Sequence, residues 1–503
     1  MSTNPLLQSI HRTAMHTPER IALVGTQEQY SYAELCSQVD LLAQKLKDAH
    51  CRVVALLGDN HPDWVIVDLA CQQANLCFLP LPTYFSPTQL LHSLTEAAVD
   101  TVLLGTGVLL PAPLLQQLVP EDFSLCYQII KLPVSKRDVL PEGTVKITFT
   151  SGSTGQPKGV CLSLDNQIRV AKSLVEVVNI DAPKHLCVLP LPTLLENIAG
   201  VYAPLLAGGQ VHIPSLGELG FSGSSSFDVR KLLGKISAVE PNSMILTPQL
   251  LEALTISVAQ GWIAPSSLQF IAVGGSRVSA SMIARARWLG LPVYEGYGLS
   301  ECASVVSLNR PKADLPGSAG KLLPHMQLKI HAGEIILSGN SFLGYVNEPE
   351  SWYADSVATG DLGFMDTDEF LHLQGRKKNL LISSYGRNIS PEWVESEIKI
   401  FPQIRQVVVF GDARPFCVAL LYSDPTQIAD AELQICLDKM NQSLPDYARI
   451  LHWARVPEPF SVQSNTLTAN GRPKREAIAQ QYALDIERLY QGCHSGESRN
   501  PLV

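Results

Sequence analysis

The sequence is short of charged residues. Asp, Glu, Lys and Arg together make up 17% of the 503 residues, whereas apolar residues make up 46%. So little charge argues against a chain that is mainly disordered or fibrous, and the apolar fraction is large enough to build cores for several domains. The net charge is −9. This excess of acidic residues argues against a nucleic-acid-binding protein that relies on a broad basic surface.

The sequence also lacks the patterns that mark disulfide frameworks, secretion and membrane spans. Its 11 cysteines include no CxxC pair, which disfavours a four-cysteine zinc site and a disulfide framework and favours a reducing compartment. The N-terminus has no basic segment followed by an apolar one, as a signal peptide would have. The most apolar stretch, 101–119, is interrupted by glycines and prolines. We therefore predict a cytoplasmic protein with no transmembrane segment.

Short apolar segments alternate with longer amphipathic segments along most of the chain. Examples of the short segments are residues 53–57, 101–104, 185–189, 243–246 and 269–273. Strands that alternate with helices predict an α/β fold whose sheets are mostly parallel.

The pattern changes near the sequence GRKKN at residues 375–379. The residues beyond it predict a helix at 391–400 and strands at 406–410 and 416–422, which is enough for a separate α+β domain. The end of the chain is polar and has no periodicity, so it predicts a disordered tail. The predicted parts are therefore a large domain at 1–376, a small domain at 377–490 and a tail at 491–503.

A glycine-rich segment predicts a phosphate-binding loop. Residues 145–150 alternate in polarity and predict a strand, and the sequence SGSTGQPKGV follows directly. Glycines let backbone N–H groups approach an anion, hydroxyls add hydrogen-bond donors, and a lysine adds positive charge. These features point to a polyphosphate ligand, although a flexible surface linker is the simpler alternative. The residues proposed to contact the phosphates are Thr150, Ser151, Gly152, Ser153, Thr154, Gly155 and Lys158.

Two better-known loops do not fit this segment. A Walker A loop requires GK followed by Ser or Thr, but Pro157 precedes Lys158 and Gly159 follows it. A nucleophile elbow requires GxSxG, which no serine of the chain satisfies. P-loop ATPases and α/β-hydrolases are therefore disfavoured.

The segment TFTSGSTGQPKGV resembles the phosphate-binding signature of the adenylate-forming superfamily, which contains acyl-CoA synthetases, adenylation domains of peptide synthetases and firefly luciferase. Further segments resemble the family in the right order: YEGYGLSE at 294–301, TGD at 359–361, GRKKNLLI at 375–382, GRNISP at 386–391 and NGRPK at 470–474. The resemblance spans roughly residues 10–490. It implies a large N-terminal domain with mixed and parallel sheets, a small mobile C-terminal domain, and ATP, Mg²⁺ and coenzyme A as cofactors.

The same resemblance implies roles for individual residues. Gly296, Tyr297 and Gly298 would line the adenine, and Ser300 would keep the hydroxyl of the usual threonine. Glu301 would bind Mg²⁺, which suits a hard carboxylate ligand. Asp361 would accept the ribose hydroxyls, and Arg376 would contact the ribose or the phosphates. Read without the family, these segments are ordinary turns.

Two parts of the predicted small domain complete the site: the position of Lys378 and the segment NGRPK at 470–474. Lys378 lies where the family has its hinge, about which the small domain rotates between adenylation and thioester formation. Most relatives have NGK where this chain has Asn470-Gly-Arg472. That lysine bridges the carboxylate and the α-phosphate, and arginine is not an equivalent replacement. Because residues two apart in an extended chain point the same way, either Arg472 or Lys474 could enter the site.

The acyl pocket is expected among apolar segments that include Thr193, Leu195, Gly274 and Gly275. Apolar lining suits a hydrocarbon tail, and a medium- or long-chain fatty acid is the favoured substrate, with an aromatic or branched acid as an alternative. For single residues, membership of the core is the simpler interpretation.

Three functions remain open from the sequence. The first is an AMP-forming acyl-CoA ligase, an acid–thiol ligase. The second is an acyl-AMP ligase that loads a separate acyl carrier protein, or a lactone-forming relative. The third is a nucleotide-binding protein that is catalytically weak because it has Arg472. Neither nucleic acid nor a membrane is an expected partner.

Overall fold

The computed structural model describes residues 4–108, 121–133, 139–150, 157–222, 226–385, 387–424, 428–468 and 471–491. The α-helices, in chain order, are α1 (Pro5–His16), α2 (Tyr32–Asp48), α3 (Pro62–Ala74), α4 (Pro87–Glu96), α5 (Leu164–Val178), α6 (Ala203–Leu206), α7 (Val229–Val239), α8 (Pro248–Ala259), α9 (Ala280–Trp288), α10 (Pro391–Ile398), α11 (Asp430–Ser443), α12 (Arg475–Gln481) and α13 (Ala483–Gln491). A π-helix covers Glu196–Tyr202, and short 3₁₀ turns cover Ser300–Cys302, Pro349–Ser351 and Asp446–Ala448.

A nine-stranded sheet forms one layer of the large N-terminal part. Its strands are β1 (Ile21–Val24), β2 (Gln29–Ser31), β10 (Lys184–Leu186), β11 (Gln210–His212), β14 (Ser243–Leu246), β15 (Phe270–Val273), β16 (Val293–Leu299), β17 (Ser304–Leu308) and β18 (Lys321–Leu322). Their order is β18-β17-β16-β15-β14-β10-β11-β1-β2, parallel from β16 to β1 and antiparallel at both edges.

An eight-stranded sheet forms a second layer. It contains β3 (Val53–Leu57), β4 (Cys77–Leu81), β5 (Thr101–Gly105), β6 (Glu121–Ser124), β7 (Tyr127–Lys131), β8 (Lys146–Thr150), β9 (Lys158–Leu162) and β21 (Gly344–Tyr345), in the order β21-β9-β8-β4-β3-β5-β7-β6. The strands β3, β4, β5 and β8 are parallel, while hairpins close both edges.

Smaller sheets complete the architecture. The remaining strands are β12 (Phe221–Ser222), β13 (Ser226–Phe227), β19 (Gln327–His331), β20 (Glu334–Ser338), β22 (Ser356–Met365), β23 (Leu371–Arg376), β24 (Leu381–Ile382), β25 (Asn388–Ile389), β26 (Gln406–Phe410), β27 (Cys417–Tyr422) and β28 (Ile450–Arg455). An antiparallel sheet has the order β19-β20-β22-β23, and a three-stranded sheet near the C-terminus has the order β26-β27-β28. The predicted α/β class with mixed and parallel sheets is therefore confirmed.

Most predicted elements are present with small shifts at their ends. The C-terminal helix predicted at 391–400 ends at Ile398, and the strand predicted at 416–422 begins at Cys417. One strand was not predicted. Residues 158–162 form β9, which pairs antiparallel with β8, and α5 begins only after Ser163 caps it.

The hydrophobic core is divided along the chain. Three clusters of buried residues fill the space around the two large sheets and are drawn from residues up to Leu371. Two other clusters pack around β26, β27 and β28 and are drawn from residues between Leu381 and Tyr490. The division at 376/377 and the mobility of the small domain remain predictions. Of the predicted tail, residues 492–503 lie outside the described part of the chain.

Two further findings concern the predicted environment. No helix within the described ranges is long and apolar enough to cross a bilayer. All ten cysteines within the described residues are free thiols, and most of them are buried.

Candidate active site

The hairpin of β8 and β9 positions the predicted phosphate loop. Thr150 ends β8 and Lys158 begins β9, and the two residues are direct partners across the hairpin. The connecting residues Ser151, Gly152, Ser153, Thr154 and Gly155 lie outside the described residues. Their predicted contacts with phosphate therefore stay a prediction. The structure gives the positions of the flanking residues Thr150 and Lys158.

The amino group of Lys158 is solvent-accessible and lies among acidic and aromatic groups. Its Nζ is 2.8 Å from a carboxylate oxygen of Glu348 and 4.7 Å from the centre of the Tyr345 ring. The side chain is 47% exposed, and an ion pair this exposed is worth little. Lys158 can therefore exchange Glu348 for a phosphate at small cost.

A second hairpin brings the YEGYGLSE residues beside the first. The strand β16, the turn at 300–302 and β17 carry Gly296, Tyr297, Gly298, Ser300 and Glu301. A Cβ on Gly298 would lie 1.6 Å from the carbonyl oxygen of Ser304, so only glycine allows the strands to approach this closely. The turn is closed by Ala303 and Ser304 with φ of 56° and 97°. Left-handed backbone at non-glycine residues is strained and is typical of functional turns.

Tyr345 connects the two hairpins. Its hydroxyl donates a hydrogen bond of 2.9 Å to Oε1 of Glu301, while its ring lies against Lys158. The predicted metal ligand and the predicted phosphate-binding lysine are thus held against one aromatic side chain. Neither Tyr345 nor Glu348 was predicted, because Tyr345 reaches the site through the long-range pairing of β21 with β9, and Glu348 follows in the turn that bridges back to Tyr345.

Asp361 is the most buried carboxylate of the predicted site. It is 7% exposed on β22, accepts a hydrogen bond of 2.6 Å from the Tyr297 hydroxyl, and forms an ion pair of 2.6 Å with Nε of Arg376 across β22 and β23. Burial raises the pKa of Asp361, and Arg376 opposes that shift. Burial, followed by the charge of Asp361, raises the pKa of the Tyr297 phenol. Three predicted nucleotide contacts therefore form one hydrogen-bonded group.

The two candidate cations near the C-terminus point to different places. The guanidinium of Arg472 donates to the carbonyl oxygen of Gly275 and is close enough to Asp361 and Arg376 to interact with their charges. Nζ of Lys474 instead donates to Oδ1 of Asn465 at 2.6 Å. The expectation that either cation could enter the site is therefore not met in this arrangement, because Lys474 ends the extended segment and α12 begins directly after it.

The predicted hinge lies in a turn that leaves β23. Lys377 donates its N–H to the carbonyl of Gly360, and Asn379 donates its N–H to the carbonyl of Arg376. The side chain of Lys378 is exposed, and its pKa is lowered by partial burial of its amino group and by Arg376. The turn therefore begins directly after Arg376, which forms the ion pair with Asp361.

Two of the predicted acyl-pocket residues lie beside predicted nucleotide-site residues, Gly274 beside Gly296 and Gly275 beside Arg472. Gly275 has φ of 82°, and a Cβ there would meet no atom within 4 Å, whereas a Cβ on Gly274 would lie 3.2 Å from the carbonyl oxygen of Gly296. Leu195 packs against both clusters that surround the nine-stranded sheet, and Thr193 is half-buried just before the π-helix. π-helical turns are rare and are frequent at functional sites.

Comparisons with known proteins find similarity to several CoA ligases. A 2-succinylbenzoate–CoA ligase of Enterococcus faecalis is 27% identical over 471 residues, which cover 88% of this chain and 92% of that protein. A long-chain-fatty-acid–CoA ligase of Mycobacterium bovis is 26% identical over 425 residues, which cover 68% of this chain and 69% of that protein. The crystal structure of the anthranilate CoA ligase AuaEII in complex with anthranoyl-AMP has a TM-score of 0.78 at 18% identity and covers 96% of this chain and 98% of that one, which shows a shared fold.

Family descriptions match most of the chain. Residues 10–341 match the AMP-binding enzyme family, and residues 378–494 match the C-terminal domain of AMP-binding enzymes. The prediction that the protein is an enzyme of the adenylate-forming superfamily is confirmed. Since the first match alone covers well over half of the sequence, the chain belongs to the AMP-binding enzyme family.

Proposed function

We propose that the protein is an AMP-forming acid–thiol ligase, which joins a carboxylic acid to AMP and then transfers the acyl group to coenzyme A. One observation carries the proposal: the hairpin at 293–308 places Glu301 beside Lys158 through Tyr345, and Tyr297 beside Asp361 and Arg376. In this proposal Lys158 belongs to the end of the site that binds the phosphates, and Asp361 belongs to the end that binds the ribose. Residues of the hairpin at 293–308 lie beside both ends.

In this proposal the nucleotide lies along that hairpin. Thr150, Lys158 and the loop between them bind the β- and γ-phosphates, and Tyr297 and Gly298 line the adenine beside Gly296. Asp361 exchanges its bond with Tyr297 for the ribose hydroxyls, and Arg376 neutralises it. Ser300 and Arg472 complete the contacts, with Arg472 close to the carboxylate and the α-phosphate.

The residues present suit a magnesium ion. Glu301 offers a hard carboxylate ligand, and Tyr345 occupies only its Oε1, so the second oxygen can bind a metal. Glu301 would hold Mg²⁺, which supplies charge neutralisation for the phosphates. Among the described residues of the site, Glu301 is the one that we propose as a ligand of the ion.

Two steps follow from this arrangement. A carboxylate oxygen of the substrate attacks the α-phosphorus of ATP, and the bond to pyrophosphate breaks, so that acyl adenylate and pyrophosphate form. The thiol of coenzyme A then loses its proton and attacks the acyl carbon, and AMP leaves. Lys158 and Arg472 lower the repulsion between the two anions that meet in the first step.

The substrate is proposed to be an acid with an apolar body. Leu195 and the glycines at 274 and 275 favour a medium- or long-chain fatty acid, and the Mycobacterium bovis relative is named for long-chain fatty acids. An aromatic acid is a second candidate, because 2-succinylbenzoate and anthranilate are named for the other two proteins. A separate acyl carrier protein is the alternative acceptor. We also propose a cytoplasmic location and a hinge at Lys378 that separates the two domains at 376/377.

The test is ATP–pyrophosphate exchange over a panel of saturated fatty acids and aromatic acids, followed by AMP release with and without coenzyme A. Exchange with at least one acid and AMP release that requires coenzyme A are expected. The Lys158→Ala variant should lose about 10²-fold in exchange, whereas Lys172→Ala, an exposed lysine of α5, should not. Unchanged exchange in Lys158→Ala would contradict the phosphate-binding assignment.

A further inference from the structure

A cluster of potential metal ligands that shares no residue with the nucleotide site lies where α3 begins. It consists of His61, Asp63 and Cys126, and their ligand atoms all lie within 4.8 Å of one another. His61 and Asp63 are at the N-terminus of α3, and Cys126 is in the tight turn between β6 and β7. The His61 side chain is 26% exposed, so an ion can reach the cluster from solvent.

Two of the three spacings in the cluster match a tetrahedral metal centre, and the third is below 4.8 Å. Nδ1 of His61 is 3.7 Å from Sγ of Cys126 and 3.4 Å from Oδ2 of Asp63. Zinc bonds of about 2.0–2.3 Å at tetrahedral angles place ligand atoms roughly 3.3–3.7 Å apart. A thiolate, an imidazole and a carboxylate form a ligand set typical of Zn²⁺.

Neighbouring side chains hold the ligand atoms in the orientation that a metal needs. Nε2 of His61 lies 3.2 Å from a carboxylate oxygen of Glu28, so the ring can donate its proton there and keep its lone pair on Nδ1, which accepts the N–H of Asp63 at 3.2 Å in this structure. The Tyr30 hydroxyl donates to Oδ1 of Asp63 at 2.7 Å and leaves Oδ2 facing the cluster. Metal-ligating histidines are commonly supported by a carboxylate in this way.

A buried hydroxyl next to the cluster lacks a partner. Tyr127 is 4% exposed, and within the described residues its hydroxyl has no partner at hydrogen-bonding geometry, although it lies close enough to Cys126 and Asp63 to interact with them. Unpaired buried hydroxyls are uncommon because they lose their hydrogen bonds to water. A water molecule bound to a metal at this place would provide the missing partner.

The cluster differs from a second group of the same residue types. His185, Cys187 and Glu196 also lie close together, but all three are buried. Both ring nitrogens of His185 and both oxygens of Glu196 already have partners in Ser243, Leu189 and each other. That group is a closed structural network. At the His61, Asp63 and Cys126 cluster, Nδ1 of His61 accepts the N–H of Asp63 at 3.2 Å, and Oδ2 of Asp63 accepts the N–H of Cys126 at 3.1 Å. The difference from the second group is that His61 and Cys126 are only partly buried, so an ion can reach them and compete with these bonds.

We propose that His61, Asp63 and Cys126 bind one Zn²⁺ ion, with a water molecule as the fourth ligand. The thiol of Cys126 releases its proton to solvent when it binds the metal. The ion would join the N-terminus of α3 to the turn between β6 and β7 at the edge of the eight-stranded sheet. The proposal does not depend on the proposed ligase activity.

The test uses the full-length protein after dialysis against a chelator. Zn²⁺ is titrated in competition with a chromophoric chelator, and Co²⁺ is added separately to detect the near-ultraviolet absorption of a thiolate–cobalt bond. One tight site and that absorption are expected. Cys126→Ser and His61→Ala should abolish both, and Glu28→Gln should weaken binding about 10–100-fold.

Two controls keep the test decisive. Cys36→Ser changes another partly exposed thiol and should retain the site and the cobalt absorption. Circular dichroism in chelator shows whether each variant is folded, and Zn²⁺ should raise the melting temperature of the wild type but not of Cys126→Ser. Absence of a stoichiometric site in the wild type, or equal binding in Cys126→Ser or His61→Ala, would overturn the proposal.

Discussion

Arg472 and Lys474 are only two residues apart, but they have different neighbours. Arg472 donates to the carbonyl of Gly275 beside Asp361, whereas Lys474 is held by Asn465. We expect Arg472→Ala to reduce ATP–pyrophosphate exchange about 10²-fold, because it removes a cation from the site of the developing charge. Lys474→Ala should leave the exchange rate close to the wild-type value. A larger loss in Lys474→Ala would reverse the assignment and would require a different arrangement of the C-terminal segment.

Gly298 sets the distance between β16 and β17. An added methyl group would overlap the carbonyl oxygen of Ser304, so Gly298→Ala should lower the free energy of unfolding by about 2 kcal/mol or more. The matched control is Gly234→Ala in α7, where a Cβ meets nothing within 4 Å. That variant should stabilise the protein by about 0.5–1 kcal/mol, because alanine favours helix. Urea denaturation measures both changes, and equal effects would show that the close approach at Gly298 is relieved elsewhere.

At the scale of elements, the sequence predicted those whose signal is local. The alternation at 145–150 located β8. The strand at residues 158–162 was not predicted, because five residues are too few to show a clear period and β9 is a strand only because β8 and β21 pair with it. Tyr345 and Glu348 were missed for the same reason. The motifs located Glu301, Asp361 and Arg376, but not the contacts that connect them.

A buried polar network fixes β8 against α3 and the π-helix. Nζ of Lys146, which is 1% exposed, is 2.9 Å from Asp68, donates to the Tyr202 hydroxyl at 2.7 Å and also bonds Asn197. Desolvation lowers the pKa of Lys146, and the charge of Asp68 opposes this shift. The network therefore joins the strand that ends at Thr150 to the π-helix that follows Leu195.

Removing one member of the Lys146–Asp68 ion pair should strongly destabilise the folded protein. Lys146→Met should lower the free energy of unfolding by about 3–5 kcal/mol, because Asp68 would stay buried without its cation. With Lys146→Met, Asp68→Leu and the double variant, urea denaturation should give a coupling energy of about 1–3 kcal/mol. The matched control is the exposed pair Arg169–Asp165 on α5, for which about 0.3–0.5 kcal/mol is expected. Similar coupling energies for the two pairs would contradict the proposed role of burial.

At the scale of the whole molecule, one buried carboxyl should make stability depend on pH. Burial raises the pKa of Glu295 from 4.5 to about 8, although Arg277 opposes the shift. The folded protein therefore holds this proton at pH values where the unfolded chain has lost it. The resulting stability is fully present below pH 4.5 and is lost as the pH rises through about 8. Glu295→Gln should make the decline in the free energy of unfolding between those pH values shallower, whereas Glu176→Gln, an exposed residue, should not. Parallel curves for the wild type and Glu295→Gln would contradict the raised pKa.

The two halves of the proposed reaction place opposite demands on the link between the domains. In this structure the C-terminal part delivers Arg472 to Gly275, an arrangement suited to adenylation, and coenzyme A would require the small domain to turn at Lys378. Among the described residues, the N–H groups of Lys377 and Asn379 donate the backbone hydrogen bonds of that turn, so Lys378→Pro removes neither bond while it restricts φ. Lys378→Pro should therefore keep ATP–pyrophosphate exchange but reduce coenzyme A-dependent AMP release at least about tenfold. Lys378→Ala should retain both rates, since it leaves the backbone free to rotate. Equal loss of both half-reactions in Lys378→Pro would indicate a distorted site, and retention of both would place the hinge at another residue.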